Sequence, residues 1–435
     1  MLDILKNTTY RHLFLAQIIA LVGTGLATVA LGLLAYDLAG AQAGVVLGTA
    51  LAIKMSAYIG VAPVAAAFAE RLPRRAMLVA LDLIRALVAL ALPFVSEIWQ
   101  IYVLIFVLQS ASAAFTPTFQ ATIPDILPDE EQYTRALSLA RLAYDLESLV
   151  SPMLAAALLG VISFHGLFGG TALGFFASAM LVGSVVLPKA RRGVRRSIYE
   201  RTTRGVRLFL ATPRLRGLLA LNLAVAAASA MVIVNTVVLV QAHFSLPQRF
   251  TAFALAAFGA GSMLTALALP RLLNRVADRT VMLSGAGLLV IGLGIGATLA
   301  SYSALLPLWF LLGVGYSLAQ TPGGRLLRRS SHAEDRPALF AAQFALSHAC
   351  WLITYPLAGW LGAQVGLGAS FMVLSLLAAM AVLVCLAIWR PAHEQAALRH
   401  SHDDLPLDHP HLQAVGGKIH EHAYIIDDEH RRWPV

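Results

Sequence analysis

The chain has 435 residues, 58% of them hydrophobic and only 13% charged, with a mean hydropathy of +0.74. Soluble domains keep roughly a quarter of their residues charged, so an ordinary water-soluble fold is excluded and a bilayer is the expected surrounding. The net charge of +9 reads as a feature of membrane topology, and no nucleic-acid partner is expected.

The opening MLDILKNTTYRHLFLAQ sets Lys6 and Arg11 before an apolar stretch too long for a signal-peptide core and lacking a small-residue cleavage site. The first span is therefore expected to be retained. Twelve apolar runs follow, at about 12–38, 44–69, 75–95, 98–123, 134–161, 166–188, 214–242, 249–272, 279–300, 303–324, 336–364 and 367–390. Each is long enough to cross a hydrocarbon core of roughly 30 Å as a helix. Cys350 and Cys385 are the only cysteines and both fall inside these runs, so neither a disulfide framework nor a thiolate zinc site is expected.

Lys and Arg concentrate in the joints after spans two, six, eight and ten, whereas the joint after span four, PDILPDEEQYTR, is acidic. The opposite set of joints contributes only Arg249. The positive-inside rule then places both termini in the cytoplasm of a bacterial-type inner membrane. The basic segment around 189–213 is expected to link a six-helix bundle at 1–188 to a second at 214–390, followed by a polar tail at 391–435.

An internal repeat supports two equivalent halves. At an offset of 204 to 205 residues, ERLPRR at Glu70 to Arg75 maps onto NRVADR at Asn274 to Arg279, Thr116-Pro117 onto Thr321-Pro322, Asp129-Glu130 onto Glu334-Asp335, and Pro152 onto Pro356. Spans five and eleven are then counterparts.

Twelve spans, a central basic loop and an arginine motif after spans two and eight resemble the major facilitator superfamily over roughly residues 10–390. AAAFAERLPRR stands where that family has G-x-x-x-D-R-x-G-R-R. Glu70 replaces the acid, Arg71, Arg74 and Arg75 match, and both glycines are missing. FTPTFQATIPDILP and Ser151-Pro152 add a partial resemblance to its drug and siderophore exporters. The resemblance implies an all-α membrane protein of two pseudo-symmetric six-helix bundles, and Glu70, Arg71, Arg74 and Arg75 as a conformational loop motif. Asp82 and Arg85, near the same end of span three, are expected to brace that loop.

Charges within spans are costly, on the order of 2.5 to 3.5 kcal/mol at a helix centre, and usually face a partner or a watery path. Lys54 lies near the middle of span two; if spans two and eleven pack together, as the family implies, it meets His348 or a carboxylate. In span five, Arg141 and Asp145 are four apart and can pair along one face, while Glu147 shares the other side with Tyr144 and Ser151. His348 and Tyr355 share a face of span eleven, and the repeat maps His348 onto Tyr144. The candidate path is therefore Lys54, Tyr144, Asp145, Glu147, His348 and Tyr355, with Asp37 expected at a solvated end.

Eight of the thirteen histidines follow Pro391. Three His-x-His units, His400/His402, His409/His411 and His420/His422, stand among Asp403, Asp404, Asp408, Glu421, Asp427, Asp428 and Glu429, with His393 before them and His430 after. Residues i and i+2 of an extended chain project to one side, so each unit can present two nitrogens to a borderline divalent metal. The candidate ligands are His400, His402, Asp403, Asp404, Asp408, His409, His411, His420, His422 and His430. The tail lacks apolar periodicity and is expected to be mobile without metal. HDDLPLDHPHL and IIDDEHRRWP resemble the tails of nickel-resistance exporters in the same superfamily. That resemblance implies efflux of nickel, with cobalt as a further cargo; protons are the expected coupling ion, membrane lipid the surrounding partner, and a monomer is expected. The alternatives are drug or siderophore efflux, and a membrane-anchored metal sensor. No cofactor and no enzymatic activity are expected, since no nucleophile elbow, phosphate loop or HExxH helix occurs.

Overall fold

The computed structural model describes residues 2–39, 43–69, 72–188, 197–247, 249–394, 397–402, 406, 409–415 and 418–434. Glu70, Arg71, Asp403, Asp404 and Asp408 lie outside the described residues.

The predicted spans appear as long helices: α1 (Thr8–Ala39), α2 (Ala43–Ala69), α3 (Arg74–Ala91), α4 (Ile98–Ile126), α5 (Glu130–Leu159) and α6 (Phe164–Gly183) in the first half. After a shorter α7 (Ile198–Ala211) come α8 (Pro213–Val237), α9 (Arg249–Leu273), α10 (Asp278–Gly296), α11 (Tyr302–Gln320), a short α12 (Gly323–Arg329), α13 (Arg336–Gln364) and α14 (Leu367–Ile388). Eleven helical segments among the described residues are long and apolar enough to cross a membrane; α5, at 30 residues, is the twelfth long helix and the most polar in sequence. Its start is fixed by Asp129, whose side chain accepts the Gln132 backbone N–H at 2.9 Å.

Packing repeats between the halves. The pairs α1 with α6, α2 with α4, α3 with α4, α3 with α6 and α1 with α5 recur as α8 with α14, α9 with α11, α10 with α11, α10 with α14 and α8 with α13. Between the halves, α2 lies against α13 and α5 against α9, the same relation twice. The protein is an all-α, multi-spanning membrane protein of pseudo-symmetric architecture, as the repeat predicts. In the first half, α4 continues through Pro117 to Ile126, whereas the matching Thr321-Pro322 separates α11 from α12.

The linker is not featureless. Helix α7 starts in a capping box of Ser197 and Glu200 and packs against both α2 and α13. Its approach to α13 is close at Gly205, where a Cβ would stand 2.0 Å from the Ala338 carbonyl oxygen.

Asp82 and Arg85, expected to brace the arginine loop, make their described contacts inside the first half. They pair with each other, with Ser178 Oγ donating to Asp82 Oδ2 at 2.7 Å. The guanidinium lies between the Phe115 and Phe175 rings, 4.1 and 4.5 Å from their centroids. A charge pair with no water needs both partners and ring faces to offset desolvation, so this group welds α3, α4 and α6 together. Arg74, the buried member of the loop motif, pairs instead with Asp125 at 2.6 Å, while Arg75 is exposed. Asp82→Ala leaves a buried, uncompensated guanidinium and is expected to cost about 3 to 5 kcal/mol. Thermal unfolding in detergent should show a clearly lowered midpoint for Asp82→Ala, and no change for Arg75→Ala.

Candidate functional site

Three sites are assembled on this scaffold: a polar interface between the halves, a closure at the basic end of the molecule, and a histidine centre in the tail.

At the α2–α13 contact, Lys54 Nζ lies 5.6 Å from the Tyr58 ring centroid, and Tyr58 meets His348 edge-on at 4.7 Å. His348 Nδ1 is 2.7 Å from the Phe344 carbonyl oxygen; donating there leaves the Nε2 lone pair facing its surroundings. Trp351 continues the aromatic row to Tyr355. Lys54 is near enough to His348 and Glu147 to act on both electrostatically. Glu147 and Ser151 fit against α1 only because residue 25 is glycine: a Cβ there would stand 2.7 Å from Glu147 Oε1 and 2.2 Å from Ser151 Cβ. Asp145 is buried in a two-point pair with Arg141, whose Nε to Oδ2 distance is 3.1 Å. The Arg141 guanidinium also covers Tyr316 of α11 at 4.4 Å.

A cavity of about 210 Å³ opens between the halves on the basic side of this row. Amides from both halves line it: Gln17, Gln120, Gln320 and Gln343, with Tyr144 and Arg141. The side-chain oxygens of Gln320 and Gln343 are buried without a hydrogen-bond partner among the described residues, so they are available to a polar guest. Of the candidate path residues only Tyr144 lines this cavity. Lys54, Glu147 and His348 form the neighbouring polar row, Tyr355 extends it, and Asp145 is committed to Arg141. Asp37 is exposed at the end of α1.

The acidic joint after α4 and the arginine-rich joint after α11 close over the cavity. Arg325 reaches Glu130 at 2.7 Å and Thr134 Oγ1 at 2.6 Å, Arg336 pairs with Asp125, Arg328 donates to the Pro128 carbonyl, and Tyr133 OH donates to the Gly324 carbonyl at 3.3 Å. Within each half a further pair braces the closure: Arg74 with Asp125 in the first, Asp278 with Arg329 at 2.8 Å in the second. These two pairs stand at the repeat offset with acid and base exchanged. Charge complementarity between the two joints was visible in the sequence, where both were read only as topology markers.

The described residues of the tail form regular structure. Strand β1 (Leu398–Ser401) pairs antiparallel with β2 (Ile419–His422), His400 opposite His420. The pleat puts His400, His402, His420 and His422 together; α15 (Pro410–Val415) adds His411, and the returning chain adds His430. Nitrogen donors of His400, His402, His411, His420 and His422 all lie within 4.8 Å of one another. His430 Nε2 is 3.2 Å from His400 Nε2, and His411 Nε2 is 3.1 Å from His420 Nε2. The outer nitrogens are held from behind: His400 Nδ1 at the Leu398 carbonyl and His422 Nδ1 at the Ala423 carbonyl, both 2.9 Å, His430 Nδ1 at Asp427 at 2.9 Å, and His411 Nδ1 at Glu429 at 3.2 Å. Such contacts fix the tautomer and turn the Nε2 lone pairs inward. Nε2 of His402 and of His422 are buried without a partner among the described residues.

Burial, reinforced by the neighbouring rings, lowers His402 to about 4 and pushes His400 and His411 down as well, which keeps these imidazoles neutral and available as ligands. Burial opposes ionisation of Asp427, yet hydrogen bonds with His332 and His430 hold it well below the usual carboxylate range. His409 is not part of the cluster; its Nδ1 accepts the His411 backbone N–H at 3.3 Å. The tail acquires order because Tyr424 and Ile426 are buried with Leu326, Leu327, Leu339 and Trp389 of the body. Those two residues were too few to register as a periodic apolar pattern.

Helices related by a two-fold repeat, with a polar cavity closed at one end, define a secondary-active membrane transporter rather than an enzyme. The chain belongs to the Major Facilitator Superfamily, whose family model matches residues 13–240 and 218–424. An uncharacterized MFS-type transporter YfiS of Bacillus subtilis (strain 168) is 24% identical over 344 residues, 74% of this chain and 80% of that protein. Macrolide efflux protein A of Streptococcus pyogenes is 26% identical over 153 residues, 33% of this chain and 38% of that protein. Among solved structures, the human organic anion transporter MFSD10 (TETRAN) aligns with a TM-score of 0.75 at 12% identity over 87% of this chain and 99% of that one. A bacterial homologue of the iron transporter ferroportin in an outward-facing state aligns at 0.73 and 15% identity, over 87% and 98%. These two share the fold.

Each cross-half ion pair is worth about 1 kcal/mol at this partly exposed location, so Arg325→Ala with Arg336→Ala should shift the closure by on the order of tenfold or more. Gln343→Cys, in a background with Cys350 and Cys385 replaced by Ser, should react correspondingly faster with an impermeant maleimide applied from the basic side. An unchanged rate would mean that the ion pairs do not hold this end shut.

Proposed function

We propose that the protein exports a divalent transition-metal ion, nickel or cobalt, from the cytoplasm by alternating access coupled to protons. The observation that carries this reading is the convergence of His400, His402, His411, His420 and His422, whose donor nitrogens lie within 4.8 Å of one another, with His430 Nε2 3.2 Å from His400 Nε2, while carbonyls and carboxylates occupy outer nitrogens. Six nitrogens about 2.1 Å from one ion place neighbours roughly 3 Å apart; two Nε2–Nε2 contacts in the cluster are 3.1 and 3.2 Å. Structural zinc sites close with four ligands, whereas a larger all-nitrogen set suits an ion of tetragonal or octahedral preference such as nickel(II). Asp427 and Glu429 bond outer nitrogens of His430 and His411, and with His430 they bring a second set of donor atoms within 4.8 Å of one another beside the imidazoles.

In this reading the basic end is cytoplasmic, both termini lie there, the two halves rock as a monomer, and the tail collects ions at the inner mouth. Glu147, His348 and Lys54 carry the coupling: a carboxylate or imidazole that holds a proton cannot offer the same lone pair to a metal. Expression in a sensitive host should raise tolerance to nickel and cobalt salts. Deleting residues 393–435 should weaken that tolerance without abolishing it, and Glu147→Gln should abolish it in a protein that still inserts. Proteoliposomes with an imposed pH gradient supply the direct test, with gradient-driven nickel movement expected.

A second reading, efflux of an organic compound, is favoured by the similarity to macrolide efflux protein A and by the amide-lined cavity. Under it, cells gain tolerance to organic toxicants and none to metal salts, and the tail serves only to sense metal. A growth panel of both kinds of compound separates the two.

A further inference from the structure

The histidine centre is tied to the closure at the basic end. Asp427, which holds the His430 ring, also lies 3.2 Å from His332 in the joint between α12 and α13. The next residue, Asp428, pairs with Arg204 of α7 at 2.8 Å. Arg204 in turn donates through Nη2 to Asp335 at 2.8 Å, and Asp335 is the residue immediately before α13. Arg336 follows it and crosses to Asp125 of the first half. Helix α7 itself leans on α2 and α13 at once. One buried guanidinium thus grips the metal-binding tail and the root of the helix that closes the gate.

We infer that the tail is an effector site: a divalent transition ion held by the six imidazoles favours the closed state of the basic end, acting through Asp428, Arg204 and Asp335. This rests on the proposed reading of the six histidines as metal ligands, and adds a regulatory role apart from any ion carried through the body. Bringing six imidazoles together with the Nε2 atoms of His402 and His422 buried and unpartnered is costly. A cation accepts those lone pairs and so favours the tail conformation that sets Asp428 against Arg204. An ion shifts a gate only if it binds the two gate states unequally, and Arg204 supplies the inequality by holding residues of both elements. The Asp428 side chain is 58% exposed, so that link is modest and the coupling belongs at the low end of the usual range, roughly fivefold.

Full-length protein with Cys350→Ser and Cys385→Ser, spin-labelled at Gln132→Cys and Asn274→Cys on the exposed basic ends of the two halves, reports closure by double electron–electron resonance. Nickel chloride should raise the ratio of short to long distances roughly fivefold. Asp428→Asn should abolish that rise while calorimetry shows nickel still bound, and Arg204→Gln should do the same. His400→Ala with His420→Ala should remove both binding and the rise, showing that the effect arises in the tail and not in the body. Nickel binding with an unchanged distance distribution overturns the inference and leaves the metal centre intact. A rise that survives Asp428→Asn and Arg204→Gln also overturns it. Absence of binding to the intact chain overturns this inference and the six-histidine reading together.

Discussion

A polar group taken out of water needs a partner, and in a chain with 13% charged residues this constraint organises nearly everything outside the apolar helices. Arg85 meets it with Asp82 and two aromatic faces, and Arg141 with Asp145 and Tyr316. Arg325 meets it with Asp278, Glu130 and Thr134. Four buried polar atoms without a partner among the described residues, at Gln320, Gln343, His402 and His422, lie at the cavity or in the histidine cluster. At those two places a polar guest finds lone pairs that no side chain uses.

The same constraint explains how two weakly similar halves act as one machine. Between apolar surfaces in lipid there is little to choose one packing from another, so the contacts that set the state of the transporter are the polar ones at the basic end. Those contacts use joints that are equivalent under the repeat but opposite in charge, acidic after α4 and basic after α11. At the repeat offset Arg74 matches Asp278 and Asp125 matches Arg329, so the pairs that brace the closure carry exchanged signs in the two halves. Helix α7 and the tail are attached to that closure through Arg204, which places cytoplasmic chemistry, in the proposed orientation, next to the moving parts.

Much of this was legible in the sequence because spans and repeats are written in composition and period. The twelve apolar runs correspond to the long helices to within a few residues at most ends, and Arg74 and Asp278 begin matching helices α3 and α10 at the repeat offset. The i, i+2 spacing led to the expectation that each histidine pair shares a face of an extended chain; His400/His402 and His420/His422 lie together at the β1–β2 pair, whereas His409 precedes α15 and is outside the cluster. What escaped was long-range. Nothing local to Asp82 and Arg85 says that they turn inward to Ser178 rather than toward the loop, because that depends on which face of α3 meets α6. Uncharged glutamines at 17, 120, 320 and 343 converge only through tertiary packing and carry no charge to draw attention. Asp427 and Glu429 stand beside the imidazoles, bonded to outer nitrogens of His430 and His411, a placement that depends on the path of the returning chain and that no local pattern announces. Order in the tail came from Tyr424 and Ile426, two side chains whose burial depends on a groove made by α12, α13 and α14.

Family membership establishes a transporter; the cargo rests on the chemistry of six imidazoles. X-ray absorption at the nickel edge, on the full-length protein loaded with one equivalent, tests that chemistry most directly. One tightly held ion per chain, surrounded by about six imidazole nitrogens without sulfur, is expected. A shell dominated by oxygen, or one with fewer than four imidazoles, would contradict the proposal that the histidine tail is a built metal centre.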